Sequence, residues 1–207
     1  MSERQKMKLI NRFIPLCAAA LIIQGCSQDL SAEFRGELPH SQLRIAAVLG
    51  KAVAQYRLGV LYYRGQGVAR DYVQAANWLG KAAEQGHSGA QYDLGVLYER
   101  GNGVQIDLVQ ASVWYRKAAE QGHARAQNNL GLFYVKGMGV PQDYAEAVVW
   151  LRKAAERGHA EGQSNLASSY LNGKGVKKDY SEAFKWSLKA ANQGISRSQY
   201  NLGLFYS

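Results

Sequence analysis

Residues 54–89 read AQYRLGVLYYRGQGVARDYVQAANWLGKAAEQGHSG, and the same skeleton returns three more times, from Ala90, Ala126 and Gly162. Trp78, Trp114, Trp150 and Trp186 are spaced 36 apart, as are Asp71, Asp107, Asp143 and Asp179, and Gly86, Gly122, Gly158 and Gly194. A fixed period of this length marks a stacked repeat array, in which each unit needs a neighbour to bury its apolar face. The array divides into 54–89, 90–125, 126–161 and 162–197, with a partial unit at 198–207.

Each unit carries two helical patterns. Ala54, Leu58, Leu61 and Tyr62 fall at i, i+4, i+7 and i+8, one stripe of a first helix. Gly65 and Gly67 supply the positive-φ positions that stop it and turn the chain. The second helix is announced by an aspartate followed three residues later by Gln or Glu: Asp71/Gln74, Asp107/Gln110, Asp143/Glu146 and Asp179/Glu182. This predicts a variant capping box, with the aspartate accepting from the first free N–H groups and the N3 side chain reaching back. The helix then carries Ala75, Trp78, Leu79 and Ala82 and ends at Gly86. Glycines 59, 95, 131 and 203 stand inside the first helix, where each costs about 1 kcal/mol relative to alanine. Their recurrence predicts a close helix crossing.

The pattern AxxxLGxLYxxGxGVxxDYxxAxxWxxKAAEQGH resembles the Sel1-like repeat, a relative of the tetratricopeptide repeat, over Ala54 to Ser207. The resemblance implies an all-α fold, a right-handed α-solenoid of paired antiparallel helices with four full repeats and a terminal half repeat. It also implies a concave face, lined by the first helices, that holds protein or peptide partners. The fourth unit departs from the pattern at Gly162, Ser168 and Ser169, which predicts local softening. The final helix has no partner within the chain, and Leu202, Phe205 and Tyr206 are expected to pack on the fourth unit with one side open.

The first 25 residues read as an address. Arg4, Lys6, Lys8 and Arg12 precede an uncharged apolar run from Phe13 to Ile23, shorter than the roughly 20 residues that span a bilayer and suited to a secretory signal. The following Ile23-Gln24-Gly25-Cys26 resembles the bacterial lipobox, which implies cleavage before Cys26 and acylation of its thiol. Acyl chains anchor at about 0.8 kcal/mol per buried CH₂ group. Ser27 after the cysteine is similar to the pattern sent to the outer membrane. The resemblance thus implies the periplasmic side of the outer membrane, the alternatives being a periplasmic or secreted protein. With Cys17 lost in the signal, the mature chain is left without a disulfide. Residues 26–40 read as a tether and 41–53 as a degenerate capping helix.

The chain carries a net charge of +9, of which the signal takes away +3. The remaining charges fall largely on the second helix as mixed pairs such as Lys81/Glu84, Lys117/Glu120 and Lys153/Glu156, a solvated face rather than the one-sided stripe that nucleic acid requires. The surplus suits contact with anionic lipid or cell-wall polymer. His87, His123 and His159 recur in register, but stacked helices stand about 10 Å apart while zinc ligands must converge to about 2 Å. They read as turn residues, and neither a metal nor another cofactor is expected. No nucleophile elbow, SxxK, HExxH or P-loop occurs, so no catalytic residue is assigned. A β-lactam- or peptidoglycan-active hydrolase, as some cysteine-rich relatives are labelled, is the enzymatic alternative, and a secreted host-interaction factor is another.

The expected site is the set of first-helix positions that face away from the second helix. By analogy with the tetratricopeptide groove these are Tyr56, Val60, Tyr63 and Arg64, then Tyr92, Val96, Glu99 and Arg100, then Asn128, Leu132, Val135 and Lys136, then Ser164, Ser168, Leu171 and Asn172. Tyrosine and arginine are the residues of interface hot spots, so Tyr56 and Tyr92 flanked by Arg64 and Arg100 point to an acidic or carboxylate-ended peptide.

Overall fold

The computed structural model describes residues 40–205, so the signal, Cys26, the tether, Tyr206 and Ser207 lie outside the described residues. The chain divides into Met1–Leu43, described only where it opens the first helix, and Arg44–Ser207, which holds the array. Among the described residues there are ten α-helices and no strand: α1 (His40–Val48), α2 (Ala52–Arg64), α3 (Tyr72–Glu84), α4 (Ser88–Arg100), α5 (Leu108–Glu120), α6 (Ala124–Lys136), α7 (Tyr144–Glu156), α8 (Ala160–Asn172), α9 (Tyr180–Asn192) and α10 (Ser196–Phe205). None is long and apolar enough to cross a membrane. The pairs α2/α3, α4/α5, α6/α7 and α8/α9 pack together, and each second helix also packs on the next first helix, giving the right-handed solenoid.

The helices start and stop where local chemistry requires it. Asp71 Oδ1 accepts from Val73 N at 2.9 Å and Gln74 N at 3.0 Å; Asp143 and Asp179 cap in the same way, and Asp107 accepts from Gln110 N alone. Gly65 closes α2 at φ 69°, in the left-handed region. The reciprocal half of the expected capping box is not made. The Asp71 N–H donates instead across the turn to Tyr62 O at 3.0 Å, repeated as Asp107 to Tyr98, Asp143 to Tyr134 and Asp179 to Tyr170. With that donor used to close the loop, Glu146 and Glu182 turn along their own helices and accept from the Trp150 and Trp186 indole N–H groups, each at 2.9 Å.

Helix crossings explain the interior glycines. A Cβ on Gly59 would lie 2.7 Å from Leu79 Cγ, one on Gly95 2.7 Å from the Tyr115 ring, and one on Gly131 2.8 Å from Leu151 Cγ. The fourth repeat keeps Ala167 because the residue across from it is Ser187, the small counterpart of Leu79, Tyr115 and Leu151. The second glycine of the last three loops, Gly103, Gly139 and Gly175, is constrained between repeats. A Cβ on Gly103 would lie 2.1 Å from Tyr72 O, and one on Gly139 2.0 Å from Leu108 O, so the loop lies directly against the previous repeat's second helix.

The first helices begin two residues before the sequence frame, at Ala52, Ser88, Ala124, Ala160 and Ser196. Before the array, α1 stops at Val48, and residues 52 and 53 already belong to α2 rather than to one helix over 41–53. It stands where the second helix of a preceding repeat would stand: Gln55 Nε2 donates to Ala47 O at 3.1 Å, just as Gln91 donates to Ala83 O. Arg44 reaches the Tyr62 hydroxyl, as Arg116 reaches Tyr134 and Arg152 reaches Tyr170. In the fourth repeat α8 is continuous, with Ser168 and Ser169 bonding back to the carbonyls of Ser164 and Asn165.

Candidate functional site

The expected groove positions divide into exposed charges, half-buried aromatics and residues the fold has closed over. Arg64, Arg100 and Lys136 are exposed on the last turns of α2, α4 and α6. Val60, Tyr63, Val96, Leu132, Val135 and Leu171 are half-buried. Val60 and Tyr63 pack on the cluster around Leu79 and Leu94, and Val96 on the one around Tyr115 and Leu130. Tyr63 also meets the Tyr72 ring at 5.4 Å, so it leans on the second helix instead of standing clear of it.

Tyr56 and Tyr92 are held by histidines that the sequence leaves as turn residues. His87 Nδ1 accepts from Ala90 N at 3.1 Å, His123 from Ala126 N at 3.3 Å and His159 from Gly162 N at 3.1 Å, which makes each histidine the N-cap of a first helix. Tyr56 stacks on the His87 ring at 4.3 Å and Tyr92 on His123 at 4.7 Å. Every repeat junction in the first half therefore joins a tyrosine of one repeat to the cap of the next. Burial pushes all three histidines below their ordinary value; the Arg125 charge adds to this at His123 and His159, while Glu161 opposes it at His159. An imidazole neutral at Nδ1 is the form that can accept from a backbone donor.

The third and fourth positions do not lie open. Asn128 is 5% exposed and accepts from Asn165 Nδ2 at 2.8 Å, because α6 and α8 touch directly there. Ser164 is fully buried and takes hydrogen bonds from the Arg197 guanidinium at 2.9 Å and 3.2 Å and from the Ser198 hydroxyl at 2.9 Å. Asn128 thus falls out of the open surface the sequence suggests.

Three residues outside the expected set shape the first half. Asp93 occupies the position held by Arg57 in the first repeat and by Asn129, Asn165 and Asn201 in the later ones. Burial raises its carboxyl to about 6, against the opposing pull of a hydrogen bond from Tyr56 and the charges of Arg64 and Arg125. Tyr115 stands where the first and third repeats have leucine, is fully buried and donates to Glu99. Burial, then Glu99, pushes its hydroxyl up. Arg125, exposed at the start of α6, acts electrostatically on Tyr56, Tyr92, Asp93, His123 and His159 together. The clue available in the sequence was an aspartate at a position that is asparagine in the three later units.

The lysines of the second helices are also placed. Lys81, Lys117, Lys153 and Lys189 carry their ammonium groups over Trp78, Trp114, Trp150 and Trp186 at 4.0–4.4 Å. Lys81, Lys117 and Lys153 thus stack on rings rather than pairing with Glu84, Glu120 and Glu156.

Residues 52–87, 88–123, 124–159, 160–195 and 196–207 match the family model described as Sel1 repeat. Among solved structures the chain is similar to a protective antigen of uropathogenic Escherichia coli displaying an SLR fold, at 44% identity and TM-score 0.80 over 83% of this chain and 37% of that one. It is similar to a Sel1 repeat protein from Oxalobacter formigenes at 34% identity and TM-score 0.74, over 87% of this chain and 74% of that one. Helicobacter pylori cysteine rich protein B matches at 26% identity and TM-score 0.52, over 64% of this chain and 96% of that one. The match takes in only 37% of the length of the E. coli antigen. No curated protein sequence matches the chain.

Proposed function

The chain belongs to the Sel1 repeat family, whose members are generally non-catalytic protein-binding scaffolds, and from that premise we propose that it holds an acidic or carboxylate-ended peptide along the first half of its groove. The observation that supports this reading is electrostatic. Arg64 acts on Tyr56, Arg100 on Tyr92 and Arg125 on both, so three cations bear on two half-buried tyrosines whose faces are already fixed by histidine stacking. A ring held in place before a partner arrives loses little freedom on binding. An arginine fork gives a carboxylate two parallel hydrogen bonds. Asp93 tempers the positive field beside both tyrosines, and Glu99 adds to this beside Tyr92.

The reading includes an anchor. Cys26, in a lipobox-like setting, would carry acyl chains and hold the array at the periplasmic side of the outer membrane, with positive charge available to anionic lipid or cell-wall polymer. The scaffold would then collect its partner close to the envelope.

The test is a crosslinking capture from membranes with wild type, Cys26→Ala and the Arg64→Glu/Arg100→Glu double variant. The expected result is loss of the partner in the double variant with localisation unchanged, and release from the membrane in Cys26→Ala. A partner list unaffected by the double variant would remove the groove reading.

A further inference from the structure

Within a repeat the two helices are tied by a glutamine rung that the third repeat lacks. Gln85 Nε2 donates to Gln55 Oε1 at 2.6 Å, Gln121 to Gln91 at 2.7 Å, and Gln193 to Gln163 at 2.8 Å. Each acceptor glutamine spends its own amide N–H on the preceding second helix, as Gln127 does on Ala119 O at 3.0 Å. Gln127 should receive its rung from position 157, and that position is arginine. Its Oε1 is left buried with no hydrogen-bond partner, in a side chain only 3% exposed. A buried acceptor without a donor is unfavourable and rare.

The break opens a cleft of about 490 Å3, whose lining includes Gln127, Arg157, Glu120, Glu156 and Trp150. The Arg157 guanidinium does not reach Gln127. It lies over Gly122, where an added Cβ would sit 2.6 Å from its Nη2, whereas the same place at Gly86, Gly158 and Gly194 is empty. One cleft therefore holds a buried acceptor, a guanidinium with donors to spare, the Lys153 ammonium over the Trp150 ring and carboxylates at its rim.

We infer that this cleft binds a primary carboxamide, the side chain of a glutamine or asparagine presented by a partner polypeptide, in place of the missing rung. Its N–H donates to Gln127 Oε1, its carbonyl accepts from Arg157, and its second N–H is open to Glu156 or Glu120. A carboxylate of the same shape would set acceptor against acceptor at Gln127. An ammonium would supply a donor but would meet the Arg157 charge. The site uses none of the groove residues, so it stands or falls apart from the groove reading.

The test uses the full chain and Arg157→Gln, which gives the third repeat the residue of the other three. Each protein is titrated with N-acetylglutamine N-methylamide and with its glutamate counterpart, following the Gln127 side-chain amide and Trp150 indole resonances by NMR. The expected result is a saturable shift with the glutamine probe alone in wild type. In Arg157→Gln, where the rung closes internally, the response becomes at least about tenfold weaker and Tm rises. An equal response to both probes, a wild-type response that survives in Arg157→Gln, or no saturable response in wild type would overturn the inference, the last meaning that water or Arg157 itself serves Gln127.

Discussion

The junctions of the first and second halves of the array solve one packing problem with different chemistry. Between the first three repeats, Tyr56 and Tyr92 lay their rings on His87 and His123. Further along, the same column holds Asn128 and Ser164, and the junctions are closed by amide, hydroxyl and guanidinium hydrogen bonds. His159 keeps its capping role without a ring above it, and its Nε2 lies 3.5 Å from Glu161 instead. Stacking leaves half-buried aromatic surface and nearby cations available to a partner, whereas the polar network uses up its own donors and acceptors. The repeat frame thus conserves backbone geometry while one column decides whether a junction offers a binding surface.

What both halves share should be the hardest to break. Gly103→Ala and Gly139→Ala each drive a methyl group into the backbone of the previous repeat, at a residue whose φ is 74° and 66°. Each should cost about 3 kcal/mol or more, equally in the two halves, measured by urea denaturation. A smaller loss in either half would mean that its repeats can shift apart.

The comparison sharpens at the histidines. His123→Ala removes a helix cap worth about 1 kcal/mol and a ring contact worth about 1 kcal/mol more. His159→Ala removes the cap and an exposed contact with Glu161 that contributes little, so it should cost roughly half as much in the same denaturation experiment. Equal losses would show that stacking adds nothing to the junction.

Acidity should act on the junction histidines and on Asp93 with opposite signs. The three histidines are held below their unfolded value of 6.5, so the unfolded chain takes up protons first and the stability they support falls as pH drops through 6.5. Asp93 is raised from 3.8 to about 6, so its protonated form favours folding and that contribution is lost as pH rises through 6. Asp93→Asn should therefore raise Tm at pH 7.5 and leave it nearly unchanged at pH 3.5. A lower Tm at pH 7.5 would instead mark the ionised carboxylate as a stabilising partner of Arg64 and Arg125.

The smallest expected stability effect belongs to the groove arginines. Arg64→Glu and Arg100→Glu lie on exposed turns and should each change unfolding free energy by less than about 0.5 kcal/mol. That separation of binding from stability makes them clean probes of the first half.

The sequence by itself determined the repeat period, the two helices per repeat, their aspartate and glycine ends and the close crossings at Gly59, Gly95 and Gly131. All of these rest on contacts within one repeat, where spacing and residue type are sufficient. The tertiary structure alone decided that the aspartate N–H closes the loop while Glu146 and Glu182 serve tryptophans, that the recurring histidines are caps and stacking partners, that Asn128 is closed over, and that Gln127 is left without a rung. The histidine stacking and the closing of Asn128 turn on residues brought together only when one repeat stacks on the next, and the missing rung on residues 30 apart across the two helices of one repeat. A side chain with one local environment in the sequence has a second in the solenoid, and the neighbouring repeat supplies it.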